Sequence, residues 1–155
     1  MSFQLKDIQI TSDVVIEEDV IIMRPVNLYG CTLGRGSFVG PFVEIQRGVI
    51  IGPNCRIQSH SFICEGVSMG SDCFIGHGVM FINDLFENGG PAGDSAGWKK
   101  TNIGNHVSIG SNATILPVNI CDHAVIGAGA VVTKNITKPG YYVGNPARFL
   151  RSTNS

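Results

Sequence analysis

Every sixth residue from Leu33 is large and apolar: Leu33, Val39, Ile45, Ile51, Ile57, Ile63, Met69, Ile75 and Phe81. The residue four after each of the first eight is small or β-branched: Ser37, Val43, Val49, Cys55, Ser61, Val67, Cys73 and Val79. With 43% of the chain hydrophobic, nine such positions in a row arise by chance on the order of once in two thousand. The same phase runs upstream, after a one-residue slip, through Ile10, Ile16, Ile22 and Leu28, with Val14, Val20, Val26 and Thr32 four later. It resumes at Ile103, Ile109 and Ile115, slips by one residue over Leu116, Pro117, Val118 and Asn119, and continues at Ile120, Ile126 and Val132. The segment from Ile82 to Asn102 interrupts it.

A period of six is not helical. It predicts short strands joined by tight turns, each strand turning one large and one small residue to the same face. One unit cannot bury that face alone. Three units close a triangular coil, and stacked coils bury a continuous core. Coils are expected over about residues 8–82 and 103–136, with a loop over 83–102 and a tail over 137–155, in one domain spanning 1–155. Glycine directly after the large residue, as at Gly34, Gly40, Gly52, Gly70 and Gly76, reads as a turn position needing positive φ.

Composition agrees with this picture. A chain of 155 residues fits one domain, and 43% hydrophobic against 15% charged residues argues against disorder. Glycine, at 20 residues, favours a turn-rich β fold. A net charge of −1 offers no basic surface for nucleic acid or an anionic membrane. The start, Met1 to Lys6, lacks the apolar core of a signal peptide, and no apolar run reaches the roughly 18 residues of a membrane helix. Five cysteines without a CxxC motif argue against a disulfide framework, and a cytoplasmic location is expected.

Stacking assigns places to particular residues. Residues one coil apart lie about 4.8 Å apart, the strand spacing. Cys55 and Cys73 are expected to stack inward as small core fillers, while Cys31, Cys64 and Cys121 fall at the turn position. Arg47, Glu65 and Asn83 form a column along one corner, which ends where the repeat breaks. A long loop leaving a regular solenoid is more often functional than accidental. This one carries Asp84, Asp94 and the lone Trp98, a mix suited to a polar ligand with a ring-shaped part; a disordered tether is the alternative. His106 and His123 are expected to stack, whereas His60 and His77 differ in phase.

The repeat resembles that of the hexapeptide-repeat acyltransferases, over about residues 8–136. The resemblance implies an all-β, left-handed parallel β-helix with one long extruded loop; a short C-terminal helix is also expected. It implies a homotrimer binding acetyl-coenzyme A between subunits, with no metal. The run Ile126-Gly127-Ala128-Gly129-Ala130-Val131-Val132, followed by Gly144-Asn145-Pro146-Ala147-Arg148, is similar to the close of coenzyme A-dependent sugar acetyltransferases. Small residues at Ala128 and Ala130 suit a pantetheine arm, and Lys134 or Arg148 a coenzyme A phosphate. Asn145 also reads as the N-cap, with Pro146 at N1, of the short terminal helix.

Galactoside-type members place a histidine base at the start of the loop, because a hydroxyl acceptor must be deprotonated. Here that stretch is Phe81-Ile82-Asn83-Asp84. It resembles instead the N-acyltransferases of nucleotide-linked amino sugars. An amine needs positioning more than a strong base, and Asn83 is the candidate to aim it. Backbone N–H groups at Gly110 or Ser111 are candidates to hold the oxyanion. Arg47, Glu65, Asp84, Asp94 and Trp98 are substrate-binding candidates. The implied acceptor is a dTDP-3-amino-3,6-dideoxyhexose. A UDP-linked amino sugar, a sugar hydroxyl activated by His106 or His123, and a non-catalytic scaffold remain open. Carbonic anhydrases share the solenoid, but their third zinc-binding histidine falls at Ile82 here.

Overall fold

The computed structural model describes residues 9–153, so Met1 to Lys6 and the last residues of the tail lie outside the described residues. The chain winds into a triangular prism of three sheets, parallel throughout except for the antiparallel hairpin that ends the second. Face I holds Val15–Ile16, Thr32–Leu33, Ile50–Ile51, Val67–Met69, Thr101–Ile103 and Asn119–Ile120. Face II holds Ile21–Ile22, Phe38–Val39, Arg56–Ile57, Phe74–Ile75, Ser108–Ile109 and Ala124–Ile126, then Gly140–Val143 and Arg148–Arg151. Face III holds Asn27–Leu28, Glu44–Ile45, Phe62–Ile63, Met80–Phe81, Thr114–Ile115 and Val131–Val132.

The large residues stack in register, as Leu33 on Ile51 and Ile51 on Met69, with 18 residues per coil. Coils of 17 residues account for the two slips, as in Ile16 on Leu33 and Ile115 on Val132. The first slip falls earlier than its expected place. Cys31, not Thr32, is the buried small residue beside Leu33, so Cys31 belongs to the core rather than to a turn.

The polar groups of the core are satisfied. Ser37 Oγ donates to the Gly52 carbonyl at 3.0 Å, and Ser61 Oγ to the Gly76 carbonyl at 2.8 Å. Among the described residues no buried side-chain polar atom lacks a partner. Cys55 and Cys73 do stack inward, each thiol donating to a carbonyl of the next coil at 3.1 Å. Burial pushes the Cys31 thiol up to about 11 and Cys64 to about 12, which suits fillers and not nucleophiles.

The glycines after the large residues do not serve positive φ. That conformation falls two residues later, at Gly36, Phe42, Gly48, Asn54, His60, Gly66, Asp72 and Gly78. Gly34 and Gly76 are needed for closeness instead. A Cβ on Gly34 would stand 2.6 Å from the Gly52 carbonyl carbon, and one on Gly76 2.6 Å from the Ser111 nitrogen.

The tail also departs from expectation. Asn145 and Pro146 do not open a helix; they sit in the turn of an antiparallel hairpin, Gly140–Val143 with Arg148–Arg151. Gly140–Val143 continues face II beside Ala124–Ile126, so ladder hydrogen bonds and aromatic packing outweigh a cap. Tyr142 meets the Phe149 ring edge-on at 5.6 Å, and the Arg151 guanidinium lies 3.9 Å over Tyr141. The extruded loop is Ile82 to Lys100, because the strand resumes at Thr101 rather than at Ile103.

Candidate active site

The expected corner column forms at the edge between faces III and I. Strand register aligns Gly30, Arg47, Glu65 and Asn83, one per coil. Asn83 lies two residues past the buried Phe81, and its Nδ2 donates to the Glu65 carbonyl at 3.1 Å. The Glu65 N–H donates to Gln46 Oε1 at 3.2 Å. Gln46 Nε2 in turn donates to Glu44 Oε1 at 3.1 Å, which also accepts from the Tyr29 hydroxyl at 3.3 Å. Burial and the Glu44 carboxylate push the Tyr29 hydroxyl above its ordinary pKa. Gln46 is therefore a member of this cluster that the corner column did not signal, since it stands one position before Arg47 and joins through its side-chain amide.

Arg47 turns away from the column below it. Its guanidinium pairs with Asp13 at 3.5 Å, and its stem lies across Gly30, where a Cβ would meet Arg47 Cγ at 2.9 Å. The absent Gly30 side chain makes that room. Among the described residues no ion pair joins Arg47 to Glu65.

The loop's own side chains bond back to its backbone at several points. Asp84 accepts from the Phe86 N–H at 2.9 Å and from the Ala92 N–H at 2.7 Å. Asp94 accepts from the Ala96 N–H at 3.0 Å and caps the 3-10 turn Ser95–Gly97. Half-buried Trp98 ends that turn, its N–H donating to the Ser95 carbonyl at 3.1 Å. The Lys99 N–H closes the loop by donating to the Asn83 carbonyl at 2.8 Å, and Lys99 Nζ pairs with Glu87 at 3.2 Å. Asn83 thus stands at the neck of a compact Ω-loop, tied through both its carboxamide and its carbonyl.

Gly110, Ser111 and Ala128 lie on a second edge, between faces II and III. Gly110 N–H is committed to the Ile126 carbonyl at 2.8 Å. The Ser111 N–H has no hydrogen-bond partner among the described residues, and Ser111 Oγ accepts from the His77 N–H at 3.2 Å. Ala130 is fully buried, so it fills the core and presents no surface to a ligand. Lys134 and Arg148 come together in one cleft beneath the hairpin, which Tyr142 and Phe149 also line.

His106 and His123 occupy the third edge, between faces I and II. Their rings stack as expected, centroids 4.9 Å apart and 7° from parallel. Beside them Asp122 accepts from the Asn105 N–H at 2.8 Å. The two Asn105 hydrogen bonds hold its carboxyl below the usual carboxylate range. His60 and His77 do not meet each other: His77 Nδ1 is 2.8 Å from Ser59 Oγ. The candidate residues thus occupy all three edges of the prism, and one chain does not converge them on a single point.

Known proteins share this architecture. Residues 30–65 match the family described as bacterial transferase hexapeptide (six repeats), and residues 100–134 match the hexapeptide repeat of succinyl-transferase. Chloramphenicol acetyltransferase of Agrobacterium fabrum is 45% identical over 62 residues, 39% of this chain and 27% of that protein. Galactoside O-acetyltransferase of Escherichia coli is 49% identical over 53 residues, 34% of this chain and 26% of that protein. The chain therefore spans little more than a quarter of either relative. Among solved structures, a point mutant of AntD, an N-acyltransferase from Bacillus cereus complexed with dTDP and coenzyme A, superposes with a TM-score of 0.76 at 23% identity, covering 91% of this chain and 84% of that one. PerB from Caulobacter crescentus, complexed with coenzyme A and GDP-perosamine, gives 0.64 at 20% identity over 91% of this chain and 56% of that one. A Vibrio cholerae hexapeptide-repeat acetyltransferase with acetyl-coenzyme A gives 0.68 at 25% identity over 82% and 73%. Among the described residues no helix is long and apolar enough to cross a membrane.

Proposed function

We propose that this chain, which carries the hexapeptide repeats of bacterial transferases over residues 30–65 and 100–134, transfers an acetyl group from acetyl-coenzyme A to the amine of a nucleotide-linked amino sugar. One observation carries the reading: an N–H of the Asn83 amide donates to the Glu65 carbonyl at the neck of the loop, which fixes the orientation of the carboxamide. Among the described residues Oδ1 accepts no hydrogen bond, and in this reading it is the acceptor for the substrate amine. An acceptor without basicity cannot deprotonate a hydroxyl, but it can take a hydrogen bond from a neutral amine and aim the nitrogen lone pair.

In the reaction the amine attacks the thioester carbon and a C–N bond forms. The Ser111 N–H, without a partner among the described residues, is the donor assigned to the oxyanion in this reading. The C–S bond then breaks, and the departing thiolate takes the surplus amine proton. Ala128 leaves room for the pantetheine arm along the same edge, and Lys134 and Arg148 share a cleft suited to a coenzyme A phosphate. Because Asn83 and Ser111 stand on different edges, the reading requires a homotrimer in which one copy's loop neck meets its neighbour's coenzyme A edge. A dTDP-3-amino-3,6-dideoxyhexose is the preferred acceptor, supported by the shared architecture with AntD, solved with dTDP and coenzyme A.

The test is thiol release from acetyl-coenzyme A with dTDP-linked 3-amino sugars, their UDP counterparts and hydroxyl-only sugars. Turnover confined to amino sugars is expected. Turnover on hydroxyl sugars would overturn the reading in favour of a histidine base at His106 or His123. The local identity to galactoside O-acetyltransferase is the observation that favours that second reading.

A further inference from the structure

The edge that carries Ser111 and Ala128 holds an exposed pair of stacked rings near its N-terminal end, one coil after Pro25, whose carbonyl accepts from the Phe42 N–H at 2.6 Å. Register places Phe42, His60, Gly78, Asn112 and Gly129 one per coil along it, all at positive φ. Left-handed backbone favours glycine, asparagine or aspartate, and the other coils mostly use them there. Phe42 breaks the rule. It is a bulky ring at φ 61°, and 57% of it is exposed. Neither burial nor backbone preference accounts for it. His60, at φ 64°, stacks against it with centroids 4.8 Å apart and rings 13° from parallel.

The position of this pair along the prism is informative. Asn83 follows the face III strand Met80–Phe81, whereas Phe42 precedes Glu44–Ile45, two strands nearer the N-terminal end of the same face. The axial offset is about 10 Å. On the other side of the Asn83 level come Ser111, Ala128 and the cleft with Lys134 and Arg148. Donor and acceptor meet only at the reacting carbonyl. If coenzyme A takes the C-terminal half of this edge, the acceptor takes the N-terminal half. A sugar amine at Asn83 then directs its diphosphate past Ser59 and His77, hydrogen-bonded at 2.8 Å, toward the rings.

We infer that Phe42, backed by His60, is the stacking platform for the nucleobase of the nucleotide-linked acceptor. The inference rests on the reading above and names the part of the substrate that the N-terminal half of the edge holds. Stacking uses the π-face that every base offers, so thymine and uracil both fit the platform.

The test separates this inference from the reading it rests on. Titration calorimetry follows dTDP alone and coenzyme A alone binding to wild type, Phe42→Gly and Phe42→Tyr. Glycine is at ease at φ 61°, so Phe42→Gly is expected to hold or raise the Tm. It is expected to weaken dTDP binding about tenfold or more and to leave coenzyme A binding within about twofold. Phe42→Tyr restores the affinity. Equal dTDP binding by wild type and Phe42→Gly overturns the platform, as does a wild type that binds no dTDP. Phe42-dependent dTDP binding without acyl transfer to any amino sugar would instead refute N-acylation and leave the platform standing.

Discussion

At the scale of single residues, orientation decides chemistry. Asn83→Ala removes the acceptor at the loop neck, so kcat/KM for the amino sugar is expected to fall about a hundredfold, with coenzyme A affinity retained. Asn83→Asp tests the orientation itself. Its carboxylate cannot donate to the Glu65 carbonyl, so it must swing away, and activity should stay low although an acceptor oxygen is present. Steady-state kinetics with both variants checks this; an Asn83→Asp enzyme as fast as wild type would remove the tether from the mechanism. The place of Asn83 in the column was legible, because the hexad counts from Glu65 to Asn83 without interruption. The direction of its amide was not, because that depends on one backbone carbonyl of the preceding coil. Asp122 gives a pH-dependent counterpart. Its folded pKa is depressed by Asn105, so its contribution to stability is present above the unfolded carboxylate value near 4 and is lost as pH falls through the lower folded value. Asp122→Asn should therefore lower the Tm at neutral pH, and the gap to wild type should close in strongly acidic buffer.

At the scale of the element, the coil is defined by closeness between backbones rather than by turn preference. Gly76→Ala sets a Cβ 2.6 Å from the Ser111 nitrogen, on a rigid coil edge with no flexible side chain to move aside. Overpacking of this kind costs about 1–3 kcal/mol, and Ser111 itself must shift. Gly48→Ala meets nothing within 4 Å but forces alanine to φ 74°, a cost of about 1–2 kcal/mol in backbone strain alone. Both variants should lose Tm, but only Gly76→Ala should also weaken coenzyme A binding. Equal coenzyme A affinity in the two would separate coil spacing from the Ser111 edge. The period of six announced the coils, yet it misassigned the duty of these glycines, since a sequence records composition at a turn and not which atom faces the next coil. The tail failed for a related reason. Asn145-Pro146 is a helix start only where a helical face follows; here Tyr141, Tyr142, Phe149 and Leu150 supply strand formers, and face II offers an edge to pair with.

At the scale of the whole molecule, the three edges force the question of assembly. The repeat distributes Asn83 to one edge, Ser111 and Ala128 to a second, and His106 and His123 to a third, and nothing in a single prism bends two edges together. Counting by six locates residues on edges, but it carries no information about which edges of different copies meet. A site shared between copies makes a prediction that a site within one copy does not. An Asn83→Ala chain keeps a sound coenzyme A edge, and an Ala128→Trp chain, in which the indole fills the place of the pantetheine arm, keeps a sound loop neck. Each alone should be nearly inactive. After unfolding and refolding an equal mixture, about a quarter of the interfaces pair a sound neck with a sound neighbouring edge, since each half is sound in half the chains. Activity should therefore return to about a quarter of the wild-type level, with size-exclusion chromatography showing trimers throughout. If the mixture refolds to trimers and stays as inactive as its parents, the neck and the edge act within one chain, and the division of labour between copies is wrong.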